Sequence, residues 1–218
     1  MYNMFKKLFG NPLNLFKKKS NNNQLLKKGC LSLHAGLKNT YDTQENQSKF
    51  GKDCGYEYDK DLSNDNNQVY YNKTSKNLMM SVTGTHNMSD VGTDLKMMGS
   101  GVKTTDRYRE AEMTLGKAKA KYSPSSTTGI GHSLGGAIVS DLNFDKKVTM
   151  NKASVNPFKG TPGNETHIRT HGDMVSYLSS GNKHTHNMIG GNITDPTSWL
   201  RAHNTDNIKK YGYKIPNS

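Results

Sequence analysis

Residues 127–137, TTGIGHSLGGA, decide how this chain of 218 residues is interpreted. The first four residues have the composition of a short buried strand, and the apolar residues at 134–142 predict a helix directly after it. Ser133 therefore stands at a sharp junction between a strand and a helix. A serine in that position exposes its hydroxyl above the edge of a sheet, which is the setting of a nucleophile elbow.

The spacing of glycines around the serine strengthens this interpretation. Gly131, Ser133 and Gly135 form the pattern G-x-S-x-G, in which small residues allow the strand and the helix to approach closely. The amide of Leu134, at the start of the helix, can face a developing oxyanion. The alternative is a glycine-rich turn without chemistry, but the strand and helix on either side favour the elbow.

The elements around the elbow indicate an α/β fold. Strands are predicted at 78–82, 127–130, 147–151 and 166–170, and helices at 106–120 and 134–142. Strands that alternate with helices form a mostly parallel sheet that the helices flank. Residues 39–77 are polar and predict mostly irregular structure with a short strand at 68–71. We expect a basic arm at 1–28, a polar, partly irregular part at 29–76 and a catalytic region at 77–218.

A serine nucleophile needs a base and an acid, which follow it in this kind of fold in the order Ser, Asp or Glu, His. Asp173 fits the acid because it follows the predicted strand 166–170, at the sheet edge where sites gather. Asp141 and Asp145 lie too near the elbow, and Glu165 would sit at the opposite edge. The sequence thus favours Asp173, although a plain turn aspartate after glycine is the alternative.

The same chain order limits the choice of the base, because the histidine must follow the acid. Three of the eight follow Asp173, namely His184, His186 and His203. His203 is preferred because Trp199 and Leu200 precede it and can anchor its loop near the core.

Four segments of the chain resemble class 3 lipases, the fungal-lipase-like α/β-hydrolases. GIGHSLGGA at 129–137 closely matches their elbow, and LMMSVTGTHNMSDVGTDL at 78–95 is similar to their strand and oxyanion segment. HIRTHGDMVSYL at 167–178 resembles the strand that carries their aspartate, and VNPF at 155–158 their G-x-P turn. The matches are in family order over about 60% of the chain.

The resemblance implies a compact α/β-hydrolase fold with Ser133, Asp173 and His203 as a catalytic triad. It also implies an oxyanion hole formed by the amides of Thr85 and Leu134, and hydrolysis of lipid esters without a metal or cofactor. The chain departs from the family pattern at three positions. Thr83 replaces an arginine, Val91 a tryptophan and Ser176 a proline. None of the three would supply a catalytic atom.

The charge is concentrated at one end of the chain. Seven lysines and no acidic residue lie in residues 1–28, which accounts for more than half of the net charge of +12. Phenylalanine and leucine side chains are interspersed there, so an anionic membrane surface or a protein partner would suit this arm. Nucleic acid is disfavoured, because only four of the thirty basic residues are arginine and no nucleic-acid-binding motif is present.

These features favour a serine ester hydrolase of lipase or phospholipase type. The alternative is a catalytically inactive module of the same fold that binds a membrane or a protein. No apolar run approaches the roughly 18 residues of a membrane-spanning helix, and no secretory signal is evident. Intracellular, peripheral-membrane and virion-associated locations remain open. Cys30 and Cys54 are either free thiols or one bridge.

Overall fold

Seven strands form one mixed sheet in the computed structural model of the protein. The structure describes residues 36–38, 40–50, 52, 55–85, 101–154, 160–177, 179, 181–188 and 201–206. The helices are α1 (Gln44–Lys49), α2 (Asp106–Tyr122) and α3 (Ser133–Asp141), with a short 3-10 helix at Val102–Thr104. The strands are β1 (Tyr56–Tyr58), β2 (Asn67–Asn72), β3 (Asn77–Val82), β4 (Ser126–His132), β5 (Lys146–Met150), β6 (Glu165–Thr170) and β7 (Thr185–Met188).

The order of strands in the sheet is their order in the chain. β1, β2 and β3 pair antiparallel, and β3 to β7 then run parallel. This is the predicted α/β fold with a mostly parallel sheet. Because the carboxyl ends of parallel strands share one edge, the residues that follow β3, β4, β5 and β6 are brought together there.

Alternating side chains of β3 lie on opposite faces of the sheet and contribute to the core on both. Leu78, Met80 and Val82 pack with the apolar residues of α2 and α3 in one core cluster. Met79 faces the other side, where it packs with Tyr70 in a second cluster. Both β2 and β3 are buried along their whole length, as expected for strands inside a sheet covered on two faces.

The predicted amphipathic helix is present as α2. Its buried residues include Tyr108, Ala111, Leu115 and Ala118, which lie on one face of the helix. The hydroxyl of Thr105 accepts a hydrogen bond from the amide of Tyr108 at 3.2 Å, so Thr105 caps the start of the helix.

The polar part of the chain is more ordered than the sequence predicted. Within residues 39–77 the structure contains α1, β1 and β2, where we expected mostly irregular structure with one short strand. β7 was also not predicted. Its sequence, THNM, has little apolar character, and pairing with β6 gives it strand structure. Within the part of the chain that is described, no helix is both long and apolar enough to cross a membrane.

Candidate active site

Ser133 lies at the junction of β4 and α3, as the motif predicted. Its backbone φ is +55°, a left-handed conformation that non-glycine residues rarely adopt, so the turn is strained. A Cβ on Gly131 would lie 2.5 Å from the carbonyl oxygen of Gly135, and one on Gly135 would lie 2.1 Å from that of Val82. Because both predicted elbow positions are glycine, helix α3 can lie close to β4, the strand directly before it, and to the end of β3.

The segment that follows β3 passes directly beside the serine. A Cβ on Gly84 would come within 2.9 Å of the Cβ of Ser133 and within 2.7 Å of the carbonyl oxygen of His132. Thr85, the next residue, is half-buried. Leu134 is buried in the first turn of α3, where helix amides have no partner within the helix. Leu134 thus directly follows Ser133 in the chain, and Thr85 directly follows Gly84, whose backbone lies against Ser133.

The carboxylate of Asp173 is buried and held on both oxygens. The turn after β6 contains Gly172, whose φ is +81°, and the amide of Asp173 donates to the carbonyl of Thr170 at 3.1 Å. Oδ1 accepts a hydrogen bond from the amide of Val175 at 3.1 Å. Oδ2 accepts one from the hydroxyl of Ser176 at 2.6 Å. These bonds fix the orientation of the carboxylate.

His203 lies against this carboxylate. Its Nδ1 is 2.9 Å from Oδ1 of Asp173, and both side chains are almost fully buried. The other ring nitrogen, Nε2, is buried and has no hydrogen-bond partner among the described residues. A carboxylate accepts only, so in the neutral ring Nδ1 carries the proton and Nε2 presents a lone pair. This is the state in which an imidazole can remove a proton from a hydroxyl.

Asn151 connects the loop of His203 to the sheet. It follows β5 with a φ of +46°. Its side-chain amide donates to the carbonyl of Ala202 at 3.1 Å, and its carbonyl oxygen accepts from the amide of Thr170 at 2.8 Å. Residues at the ends of β5 and β6 therefore hold the helical turn 201–203 in place.

Two buried titratable residues that the sequence did not favour lie away from this arrangement. Glu165 begins β6 and is bound to the ammonium of Lys152 at 2.9 Å in a buried ion pair. His167 lies between Thr149 and Ser179, and burial lowers its pKa to about 2. Of the other histidines after Asp173, His184 is exposed, and the side chain of His186 lies outside the described residues.

Sequence reasoning did not identify two residues that lie beside the site, Tyr41 and His132. The hydroxyl of Tyr41 accepts a hydrogen bond from the amide of Gly84 at 3.1 Å and lies 2.9 Å from Nδ1 of His132. No motif pointed to Tyr41, which lies in a polar segment 91 residues before His132. His132 was not among the candidates because it precedes Asp173, although its ring centroid lies 4.6 Å from that of His203.

No family model matches the chain, and no curated protein matches it in sequence. Among solved structures, the Lip2 lipase of Yarrowia lipolytica is similar, with 15% identity and a TM-score of 0.47 over 82% of this chain and 83% of that one. The Rhizomucor miehei lipase in complex with its propeptide has 16% identity and a TM-score of 0.44 over 73% and 64%. A triacylglycerol lipase of Penicillium expansum has 17% identity and a TM-score of 0.41 over 74% and 82%.

Proposed function

We propose that the protein is a serine ester hydrolase that cleaves carboxylic esters of lipids, with Ser133, His203 and Asp173 as its triad. The observation that carries the proposal is the buried pair of His203 and Asp173, in which Nδ1 is held at 2.9 Å and Nε2 has no partner among the described residues. A buried polar atom without a partner is costly in a purely structural role. The free-energy cost of leaving Nε2 without a partner is explained if Nε2 accepts the proton of a reacting hydroxyl.

In the first half of the reaction, Oγ of Ser133 attacks the carbonyl carbon of the ester while Nε2 of His203 takes the hydroxyl proton. Asp173 holds the opposite ring nitrogen and stabilises the imidazolium that forms. The amides of Leu134 and Thr85 donate to the oxyanion of the tetrahedral intermediate. The intermediate collapses, the ester C–O bond breaks, and His203 returns the proton to the leaving alcohol.

In the second half, water replaces the alcohol. His203 removes a proton from the water, whose oxygen attacks the acyl group on Ser133. The second tetrahedral intermediate releases the carboxylic acid, and Oγ of Ser133 recovers its proton from His203. The lipid class of the ester is proposed from the motif resemblance to class 3 lipases, since these steps apply to any carboxylic ester.

Covalent labelling and ester hydrolysis test the proposal together. A fluorophosphonate should label the wild-type chain and not Ser133→Ala, and that variant should lose p-nitrophenyl ester hydrolysis by about 10⁴-fold or more. His203→Ala should fall to a similar level. Ser125→Ala and His184→Ala change an exposed serine and an exposed histidine and should keep the wild-type rate. A folded wild-type chain that is neither labelled nor hydrolytic would instead favour the inactive binding module.

We also propose that residues 1–28, which lie outside the described residues, attach the enzyme to anionic membranes. Each lysine near an anionic surface contributes about 1 kcal/mol at best. Seven lysines together with the interspersed Phe5, Phe9, Leu13, Leu15 and Phe16 would suffice for reversible binding. The attraction would weaken with salt, because exposed charges are screened beyond about 10 Å at 0.1 M ionic strength.

A chain that begins at Gly29 tests the role of the arm. It should hydrolyse a short soluble ester at the wild-type rate, and should no longer sediment with phosphatidylserine vesicles at low salt. Vesicles of phosphatidylcholine serve as the uncharged control for the full chain. Equal sedimentation with and without the arm would contradict membrane attachment and would favour a protein partner.

A further inference from the structure

The ring of His132 is fixed by hydrogen bonds on both of its nitrogens. Nε2 lies 2.7 Å from the carbonyl oxygen of His203, and Nδ1 lies 2.9 Å from the hydroxyl of Tyr41. The same hydroxyl lies 3.1 Å from the backbone nitrogen of Gly84. Three contacts therefore link Gly84, which follows β3, and His132, the last residue of β4, with the loop that carries His203.

The two ends of this chain of hydrogen bonds determine which atom donates and which accepts in each bond. A backbone carbonyl only accepts, so Nε2 of His132 must donate to His203. In a neutral ring Nδ1 then accepts, so it receives the hydroxyl proton of Tyr41. The amide of Gly84 only donates, and it uses a remaining lone pair of the tyrosine oxygen. Each donor has one acceptor, which is the condition for a well-defined buried network.

Burial keeps both side chains in the required states. It lowers the pKa of His132 to about 3, with the neighbouring His203 as a further cause, so the ring is neutral at physiological pH. It raises the pKa of Tyr41 to about 12, so the hydroxyl keeps the proton that it donates. A neutral His132 also avoids repulsion with the imidazolium that would form on His203, whose ring centroid is 4.6 Å away.

We propose that Tyr41 and His132 are positioning residues, which hold the segment of Gly84 and the loop of His203 at fixed distances from Ser133. This inference rests on the proposed ester hydrolysis. Gly84 precedes Thr85, whose amide is proposed to bind the oxyanion, and a displaced loop would move Nε2 of His203. Misplacement of reacting groups by about 1 Å can lower a rate by about 100-fold. Neither Tyr41 nor His132 exchanges a proton with the substrate in this scheme.

The kinetic test uses variants that remove one contact each. Tyr41→Phe keeps the ring and removes the hydroxyl, and should lower kcat about 10–100-fold with KM within about twofold. His132→Gln, whose amide can still donate to the carbonyl of His203, should retain more of kcat than His132→Ala. The matched control is Tyr56→Phe, which removes a hydroxyl bonded at 2.6 Å to Asn77, at the opposite end of β3. A purely structural role of Tyr41 predicts equal kcat in both tyrosine variants, and that result would overturn the proposal.

A second measurement does not depend on activity. Nitrogen NMR of the histidine rings in the full chain should show His132 neutral with its proton on Nε2, and Tyr41→Phe should shift the ring signals of both His132 and His203. A proton on Nδ1 of His132, or His203 signals unmoved by Tyr41→Phe, would overturn the positioning network even if the enzyme is active. A wild-type chain that does not hydrolyse esters but shows these signals would contradict the proposed function and leave the network supported.

Discussion

Ser176 donates two hydrogen bonds to the same oxygen of Asp173. Its hydroxyl lies 2.6 Å and its backbone nitrogen 3.3 Å from Oδ2. The class 3 lipase motif usually has a proline at this position, which has neither donor. Compared with that motif, Ser176 provides two additional donors to the carboxylate, while Oδ1 is bonded to His203 and to the amide of Val175.

Loss of the Ser176 hydroxyl should weaken catalysis without weakening binding. Hydrogen bonds to charged groups contribute about 1.5–3 kcal/mol, and Ser176→Ala removes one of the bonds that orient the carboxylate. We expect kcat on a soluble ester to fall about 10-fold with KM nearly unchanged. Tyr177→Phe, a change at an exposed neighbour, should have no effect on either constant. An unchanged kcat in Ser176→Ala would show that the backbone amides suffice to orient Asp173.

Asp173→Asn should abolish activity by changing the tautomer of His203. With its carbonyl oxygen toward the hydroxyl and amide of Ser176, the asparagine would present its amide group to Nδ1 of His203. Nδ1 must then accept, which moves the ring proton to Nε2 and leaves no lone pair for the proton of Ser133. We expect a loss in kcat of about 10⁴-fold with an unchanged fold. Nitrogen NMR should show the exchanged tautomer, and an Nδ1–H signal in the variant would contradict this explanation.

Two glycines in neighbouring helices should respond oppositely to alanine. In Gly135→Ala the new Cβ would meet the backbone of Val82 at 2.1 Å, and backbone cannot move aside cheaply. The free energy of unfolding should fall by several kcal/mol, as in other overpacked sites. Gly116→Ala lies on the exposed face of α2 with nothing within 4 Å and should stabilise by about 0.5–1 kcal/mol. Urea unfolding of both variants checks the pair, and similar effects would contradict the described packing.

Stability should decrease as pH falls below about 6.5. Burial lowers the pKa of His132 to about 3 and that of His167 to about 2, while histidines in the unfolded chain titrate near 6.5. Below that pH the unfolded state binds protons that the folded state does not, so the free energy of unfolding falls with decreasing pH. Each histidine contributes a slope of up to about 1.4 kcal/mol per pH unit, down to its folded pKa. Urea unfolding at pH 7.5, 6.0 and 5.0 measures the slope.

Variants at a buried and at an exposed histidine separate the effect of the buried histidines on stability from a general sensitivity to acid. His132→Asn removes one titrating group and should roughly halve the slope between pH 6.0 and 5.0, whereas the exposed His184→Ala should leave it unchanged. Carboxylates such as Asp145, whose pKa is lowered by its hydrogen bond with Thr127, act at lower pH. A slope that is independent of His132 would place the acid sensitivity elsewhere.

Local sequence determined the parts of the fold whose apolar pattern is continuous. β3, β4, α2 and α3 were predicted close to their bounds, since each has an apolar periodicity or glycine signal within its own residues. β2 was predicted only as a short strand and β7 not at all, because their residues are largely polar. Asn67 and Gln68 are fully buried in β2, where they pair with Val82 and Ser81 of β3 and their side-chain amides donate to Asn64 and Thr83.

By itself, the sequence determined the position of the elbow and the choice of Ser133, Asp173 and His203 as candidates, because motif spacing and chain order constrain these residues without a structure. Only the tertiary structure decided that Nδ1 of His203 meets Asp173 while Nε2 is left without a partner in the described part of the chain. It also decided that Tyr41, 91 residues before His132, connects Gly84 to the elbow. Hydrogen bonds between distant segments depend on where the strands end in space, and no local pattern encodes that.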